Sequence, residues 1–212
     1  LGDVYKRQGT CWAFAALSCT ESNLIQKGLE NQNVQFSVPS LVLSTYANGG
    51  FDESIWDCGG TWMDSSLAMA AHRGLCYDEY EPFVSDGTEA TIVSEEKKGV
   101  CEYQLNYAST ITGGRNAIKN KIKELGGVLV SYYADDLYMT FDNKSYYDPE
   151  TTKYSGINHA VSVVGWDDNY SKSNFLAGYQ PKKNGAWLVK GSWGVSLSLI
   201  HISEPTRLGM IS

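Results

Sequence analysis

The sequence predicts an α+β fold built as two lobes, a helical one first and a sheet-rich one second. Three observations carry this. Residues 11–73 hold three segments with helical character, two of them closed by a glycine. From residue 128 onward, short runs of β-branched and aromatic residues take over. Between these regions, residues 77–107 are polar and turn-rich, suited to a chain crossing from one lobe to the other.

Each element has a local cause. Cys11 to Lys27 is rich in helix formers, with Phe14, Leu17, Leu24 and Ile25 at near-helical spacing and Gly28 placed to end the helix. A shorter helix is expected after Ser37, because Pro39 is tolerated in a first turn and Leu41, Val42 and Thr45 follow it. A third runs from about Trp62 to Arg73 and stops at Gly74. A fourth, near Arg115 to Leu125, is stopped by Gly126 and Gly127. Strands are then expected at Val128–Tyr133, His159–Trp166 and Ala186–Lys190, the last two separated by a polar insertion.

The 212 residues, 42% of them apolar, suffice for a sizeable core. With 17 basic against 24 acidic side chains the net charge is −7, and no basic run interrupts it, which argues against a nucleic-acid or anionic-membrane binder. No apolar stretch approaches the roughly 20 residues of a membrane span, and nothing at the N-terminus has the charged-then-apolar form of a signal peptide. Five cysteines suit one working thiol plus four others. Cys19, Cys58, Cys76 and Cys101 allow three pairings or a fully reduced state. No metal or other cofactor is called for.

Cys11 opens the first helix, where unpaired backbone N–H groups and the positive end of the helix dipole favour a thiolate. Only three histidines could serve it as a base: His72, His159 and His201. His72 lies in an alanine-rich helix and suits an ordinary packing role, while His201 falls in a C-terminal stretch of foreign character. His159 opens a strand beside a turn, from which it can face a nucleophile carried by the other lobe.

Three blocks make a specific resemblance. Gly9-Thr10-Cys11-Trp12-Ala13-Phe14, Asn158-His159-Ala160-Val161 and Trp187-Leu188-Val189-Lys190-Gly191-Ser192-Trp193-Gly194 stand in the order of the cysteine, histidine and asparagine blocks of papain-like cysteine proteases. The match spans residues 9–194, and Gly165 to Ser171 is similar to the bacterial branch. The resemblance implies a papain-like two-lobed fold, with a helical lobe over about 9–110 and a sheet lobe over about 111–194. It implies Cys11 as nucleophile, His159 as general acid and base, and the Cys11 backbone N–H as an oxyanion donor. Gly59 and Gly60 resemble the family's glycines beside which substrate backbone pairs, although the preceding Cys58 is one residue closer than usual. Asn158 is expected to line the substrate site, and Trp193 to pack over the histidine side of it. Partners implied are a peptide or protein substrate and an inhibitory propeptide, with a secreted or cell-surface location.

Two departures bear on activity. The asparagine that orients the histidine in the family is replaced by Gly191, and the oxyanion glutamine expected six residues before Cys11 is replaced by Tyr5. Gln8 stands too close to Cys11 for that role, and Asn184 and Asn158 do not stand where the orienting residue belongs. Leu1–Gln8 and Val195–Ser212 both resemble translated sequencing-adapter read-through and are expected to be non-native, so that the family resemblance stops at Gly194 and the second lobe is expected to be incomplete. Rival readings keep the fold as a peptide-binding or structural module, or use the Cys/His pair for amide crosslinking.

Overall fold

The computed structural model of the chain describes residues 8–46, 59–71, 75–80, 82, 103–142, 144–149, 156–191, 199–203 and 209–211. Among these, four α-helices precede or flank a six-stranded sheet: α1 (Cys11–Gln26), α2 (Val38–Tyr46), α3 (Trp62–Ala70) and α4 (Arg115–Leu125), with β1 (Val128–Tyr132), β2 (Ser145–Tyr146), β3 (His159–Asp167), β4 (Ala186–Lys190), β5 (Leu199–Ile202) and β6 (Gly209–Ile211). None of these helices is long and apolar enough to cross a membrane.

The helix ends follow the sequence signals. Gly28, at φ +68°, takes the left-handed position after α1: its N–H bonds the Ile25 carbonyl and the Leu29 N–H bonds that of Leu24, which satisfies two carbonyls at the helix end. Thr61 and Asp64 form a reciprocal capping box at the start of α3, fixing the chain immediately after Gly60. The expected end of α3 at Arg73 and Gly74 falls outside the described residues; the helix itself ends at Ala70.

In the sheet, β1 pairs antiparallel with β3, β3 with β4 and β4 with β5, while β2 lies parallel to β5 and β6 closes the other edge against β1. Sequence periodicity did not predict β2, β5 or β6. A two-residue strand carries no period. Residues 199–202, expected to be foreign, nevertheless alternate in burial, with Ile200 and Ile202 inside and Leu199 outside, so they add a strand that matches the pleat. The tail thus occupies both flanks of the three central strands, edges that the sequence-based expectation left unpaired.

Two cores result. One gathers Trp12, Leu17, Leu24, Phe36, Leu41, Val42 and Met69 around α1; the other gathers Ile118, Val128, Val130, Val161, Val163, Trp187 and Ile200 across the sheet and α4. Strand β1 serves both, since alternation sends Leu129 to the helical core and Val128 and Val130 to the other. Helix α1 packs against β3, and at this boundary the Cys19 thiol meets the Ser162 hydroxyl at 3.1 Å. Cys19 and Cys76 are unbridged, so neither enters a disulfide; Cys58 and Cys101 lie outside the described residues.

Candidate active site

A 3₁₀ turn, Gln8–Thr10, delivers the chain into α1, so that Cys11 is the first helical residue. Thr10 places no side-chain cap on this helix, which leaves the first-turn amides pointing out of the N-terminus without a capping oxygen from that residue. The Cys11 side chain lies at the boundary between lobes, with the residue 8% exposed, near enough to the Ala160 amide for that dipole to favour a thiolate. Helix α1 thereby meets the strand that begins with His159.

His159 is the first residue of β3 and is 7% exposed. Its cross-strand partner on β1 is Tyr132, whose ring stands edge-on to the imidazole at 5.6 Å between centroids. Burial pushes the His159 pKa down to about 4 and pushes the Cys11 thiol up, although the Ala160 amide pulls the thiol the other way. Each group taken singly therefore favours its neutral form, in contrast to the thiolate expected from the helix dipole. Desolvation at this closed boundary outweighs the dipole. Burial also raises the Tyr132 hydroxyl pKa, and a charge on Tyr146 or Cys11 would raise it further, so Tyr132 is a neighbour of both catalytic candidates. It lies within the strand expected at Val128–Tyr133, but nothing in the local sequence marks its company.

Next to Cys11, Trp12 is 2% exposed and stands edge-on to Tyr46 at 6.0 Å. The Tyr46 hydroxyl donates to the Gly59 carbonyl at 2.5 Å, and Gly59 itself adopts φ +59°. Gly60 lies flat on the Trp12 indole, so close that a Cβ there would fall 2.3 Å from Cε2. The two glycines are thereby set one residue from Cys11, and only glycine fits the second position.

On the other lobe, the Asn158 amide grips both backbone groups of Ala134, its Oδ1 accepting from the Ala134 N–H at 2.6 Å and its Nδ2 donating to the Ala134 carbonyl at 2.8 Å. The Asn158 side chain is thus engaged in holding the exit of β1 beside His159. Gly191 follows directly on Lys190 at the end of β4, and a Cβ built there meets nothing within 4 Å. Asn184 is far from this point; its Oδ1 accepts from the Lys172 N–H in the turn before β4. Tyr5, Cys58, His72 and Trp193 lie outside the described residues. His201 sits on β5 opposite Leu188, itself opposite Gly165, and stacks on Tyr170 at 3.9 Å. Gly165 is six residues along β3 from His159, roughly 20 Å away.

A cavity of about 610 Å³ lies elsewhere, lined by Ala16, Thr20, Met69, Leu75, Tyr103 and Leu129 among others but by neither Cys11 nor His159. Among the described residues no cluster of three or more His, Cys, Asp or Glu side chains has a metal-binding arrangement.

Cys11 at the start of α1 and the buried His159 at the start of β3 thus stand on two elements that pack together. The chain belongs to the papain family: the model of the papain family cysteine proteases matches residues 5–198. Among curated relatives it is 27% identical to mouse procathepsin L over 195 residues and 26% identical to mouse cathepsin K over 189, covering 88% and 89% of this chain and 50% of each relative. Among solved structures it is similar to the clostridial cysteine protease Cwp84 after propeptide cleavage, with a TM-score of 0.81 and 26% identity over 96% of this chain and 52% of that one. The chain spans about half the length of the curated relatives it matches.

Proposed function

We propose that the chain is the peptidase domain of a cysteine endopeptidase, with Cys11 as nucleophile and His159 as general acid and base. The observation that carries this reading is the placement of Cys11 as the first residue of α1, which packs against β3, the strand whose first residue is the buried His159. When a peptide enters, the thiol proton passes to the imidazole, sulfur attacks the carbonyl carbon, and the imidazolium returns the proton to the departing amine. Water, deprotonated by the same imidazole, then attacks the thioester and releases the acid. Because both groups are buried, the charged pair arises by one internal proton transfer and needs no proton from solvent. The Cys11 N–H at the start of α1 supplies one oxyanion donor. Gly59 and Gly60, beside Trp12, give substrate backbone room to approach, and Asn158 shapes the opposite wall by fixing Ala134. Trp193 is assigned the cover over the histidine by family position alone.

Gly191 leaves the imidazole without the family's orienting amide, so turnover in this chain is reduced, by tens-fold on the serine-protease analogy tempered for a thiol nucleophile. The same observation favours a second reading, a papain-like fold retained as a peptide-binding module. Location at a bacterial cell surface and synthesis with a propeptide are supported by the likeness to Cwp84, described as a surface-layer-associated protein of Clostridium difficile, and as cleaved from a propeptide. The domain proper is assigned to residues 9–194, with 1–8 and 195–212 read as foreign to it. The test is hydrolysis of a quenched fluorescent peptide library by the chain and by Cys11→Ala. Cleavage by the first alone supports the peptidase; tight peptide binding by both without cleavage supports the module.

A further inference from the structure

Tyr132 ends β1 and stands directly across the ladder from His159, which begins β3. Both residues are buried, and their rings meet edge to face, 5.6 Å between centroids with the planes at 76°. That separation and tilt lie in the range that aromatic pairs favour. Tyr132 is itself held. Tyr146 of β2 stands edge-on to it at 5.4 Å, and the Tyr146 hydroxyl donates to the Tyr133 carbonyl at 2.8 Å. The backbone is tied as well, because the Tyr132 carbonyl accepts from the Asn158 N–H at 3.3 Å. A row of three rings therefore runs from β2 through the end of β1 to the imidazole. In the sheet order β3 lies between β4 and β1. On the β4 side the chain offers Gly191, without a side chain; on the β1 side it offers a fixed aromatic ring.

We propose that Tyr132 is a positioning residue for His159: its ring, braced by Tyr146, holds the plane of the imidazole from the β1 side during proton transfer. The inference rests on the peptidase reading of the Cys11 and His159 pair. The ring does this and not the hydroxyl. Desolvation by burial, with Tyr146 and Cys11 adding to it, pushes the Tyr132 hydroxyl pKa up, so the hydroxyl keeps its proton at neutral pH and has no part in the transfer. An aliphatic side chain would fill much of the space without the edge-to-face preference and would leave the imidazole freer to swing. The aromatic contact is worth up to roughly tenfold in the population of one ring orientation, and transfer to the departing amine depends on that orientation.

The test uses the full chain and three variants. Tyr132→Leu removes the ring, and Tyr132→Phe keeps the ring and removes the hydroxyl. Val130→Ala hollows the same strand two residues earlier, where Val130 is buried and pairs with Val161. Tyr132→Leu lowers kcat per folded molecule by roughly tenfold with KM within about twofold of the parent, and Tyr132→Phe keeps kcat within about twofold. Val130→Ala lowers Tm and leaves kcat per folded molecule unchanged. A Tyr132→Leu variant with the kcat of the parent overturns the proposal. So does a Tyr132→Phe variant that loses as much as Tyr132→Leu, which would place the role in the hydroxyl, or a Val130→Ala variant that loses kcat equally.

A second readout depends neither on peptide turnover nor on the folding of Tyr132→Leu. NMR relaxation dispersion on the carbon-bound protons of the His159 imidazole, in the histidine-labelled parent and in Tyr132→Phe, shows no microsecond-to-millisecond exchange, whereas Tyr132→Leu introduces it. Exchange already present in the parent, or a His159 ring equally still in a folded Tyr132→Leu variant, overturns the proposal. Absence of peptide cleavage in the parent and every variant, with the ring still in the parent and mobile in Tyr132→Leu, overturns the peptidase reading and leaves the Tyr132 contact standing.

Discussion

Gly60→Ala is the substitution whose consequence the geometry states most directly. The new methyl would stand 2.3, 2.5 and 2.6 Å from Cε2, Cδ2 and Nε1 of Trp12. Carbon atoms rest at about 3.5–4.0 Å, so one side must withdraw by more than an ångström. Trp12 has nowhere to go: it is 2% exposed, wedged against Tyr46, and continuous with Cys11. The loop is also held, by the Tyr46 hydroxyl on the Gly59 carbonyl and by the capping box that starts at Thr61. Overpacking of this kind costs about 1–3 kcal/mol. For a domain of this length each kcal/mol lowers Tm by about 2–4 °C, so the fall is roughly 2–12 °C. Whatever movement relieves the clash displaces either the nucleophile or the glycines beside it, so kcat/KM falls with Tm, by up to about 10²-fold. Gly59→Ala is the control, because nothing lies within 4 Å of its Cβ and only the φ of +59° penalises it, by about 1–2 kcal/mol and without pressure on Cys11. Thermal unfolding followed by circular dichroism, with kcat/KM on one peptide, measures both. A Gly60→Ala variant within about 1 °C of the parent and equally active would refute the placement of Gly60 on Trp12.

Other expectations follow from the same structure. Gly191→Asn should raise kcat/KM by roughly tenfold or more, since the site has room for a side chain and the family's orienting asparagine belongs at this position; an unchanged rate with an unchanged fold would show that position 191 does not reach His159. His159 is buried with its pKa depressed from about 6.5 to about 4, so the unfolded chain takes up this proton first as pH falls. Its contribution is intact above about pH 6.5 and is lost progressively down to about pH 4, about 3 kcal/mol in all. Urea midpoints at pH 7, 5.5 and 4.5 should therefore fall more steeply for the parent than for His159→Phe, and parallel curves would contradict the burial of a neutral imidazole. Gly126→Ala should cost about 1–3 kcal/mol or more by chemical denaturation, because φ is +84° and the added carbon would meet the Ser22 carbonyl oxygen of α1 at 2.4 Å. A neutral result there would mean that α4 does not end against α1 as described.

Much of this architecture could be read from local signals. The apolar spacing of Phe14, Leu17 and Leu24 and the left-handed Gly28 bound α1 from sequence alone, and Gly126 did the same for α4. Strands β1, β3 and β4 announced themselves because Val and aromatic residues cluster in them between turn residues. The pair β2 and β5 did not, since a parallel pairing of Ser145 with His201 depends on segments far apart in the chain and on no periodicity in either. Cys11 and His159 stand out as candidates in the sequence because a helix start and a scarcity of histidines leave few choices. Their environment was not. The depressed His159 pKa and the raised thiol come from burial at a boundary between lobes, a property of packing that the helix-dipole argument ignores. Likewise the Glu21 to Lys190 contact spans 169 residues, and nothing in either local sequence marks the glutamate as buried. The capping box of Thr61 and Asp64 was within reach of sequence reasoning, as a Thr followed three residues later by an acid.

The measurement that bears most directly on the Cys11 and His159 assignment is the site of covalent labelling by a peptidyl electrophile, mapped by mass spectrometry over all five cysteines. Cys11 should be modified alone, and His159→Phe should slow the labelling by at least about 10²-fold, the contribution of a positioned acid–base partner. Cys19, half-buried and with its thiol pKa pushed up to about 12 by desolvation, should not react in the folded chain. Labelling spread over several cysteines, or a Cys11 rate that is indifferent to His159, would contradict the assignment.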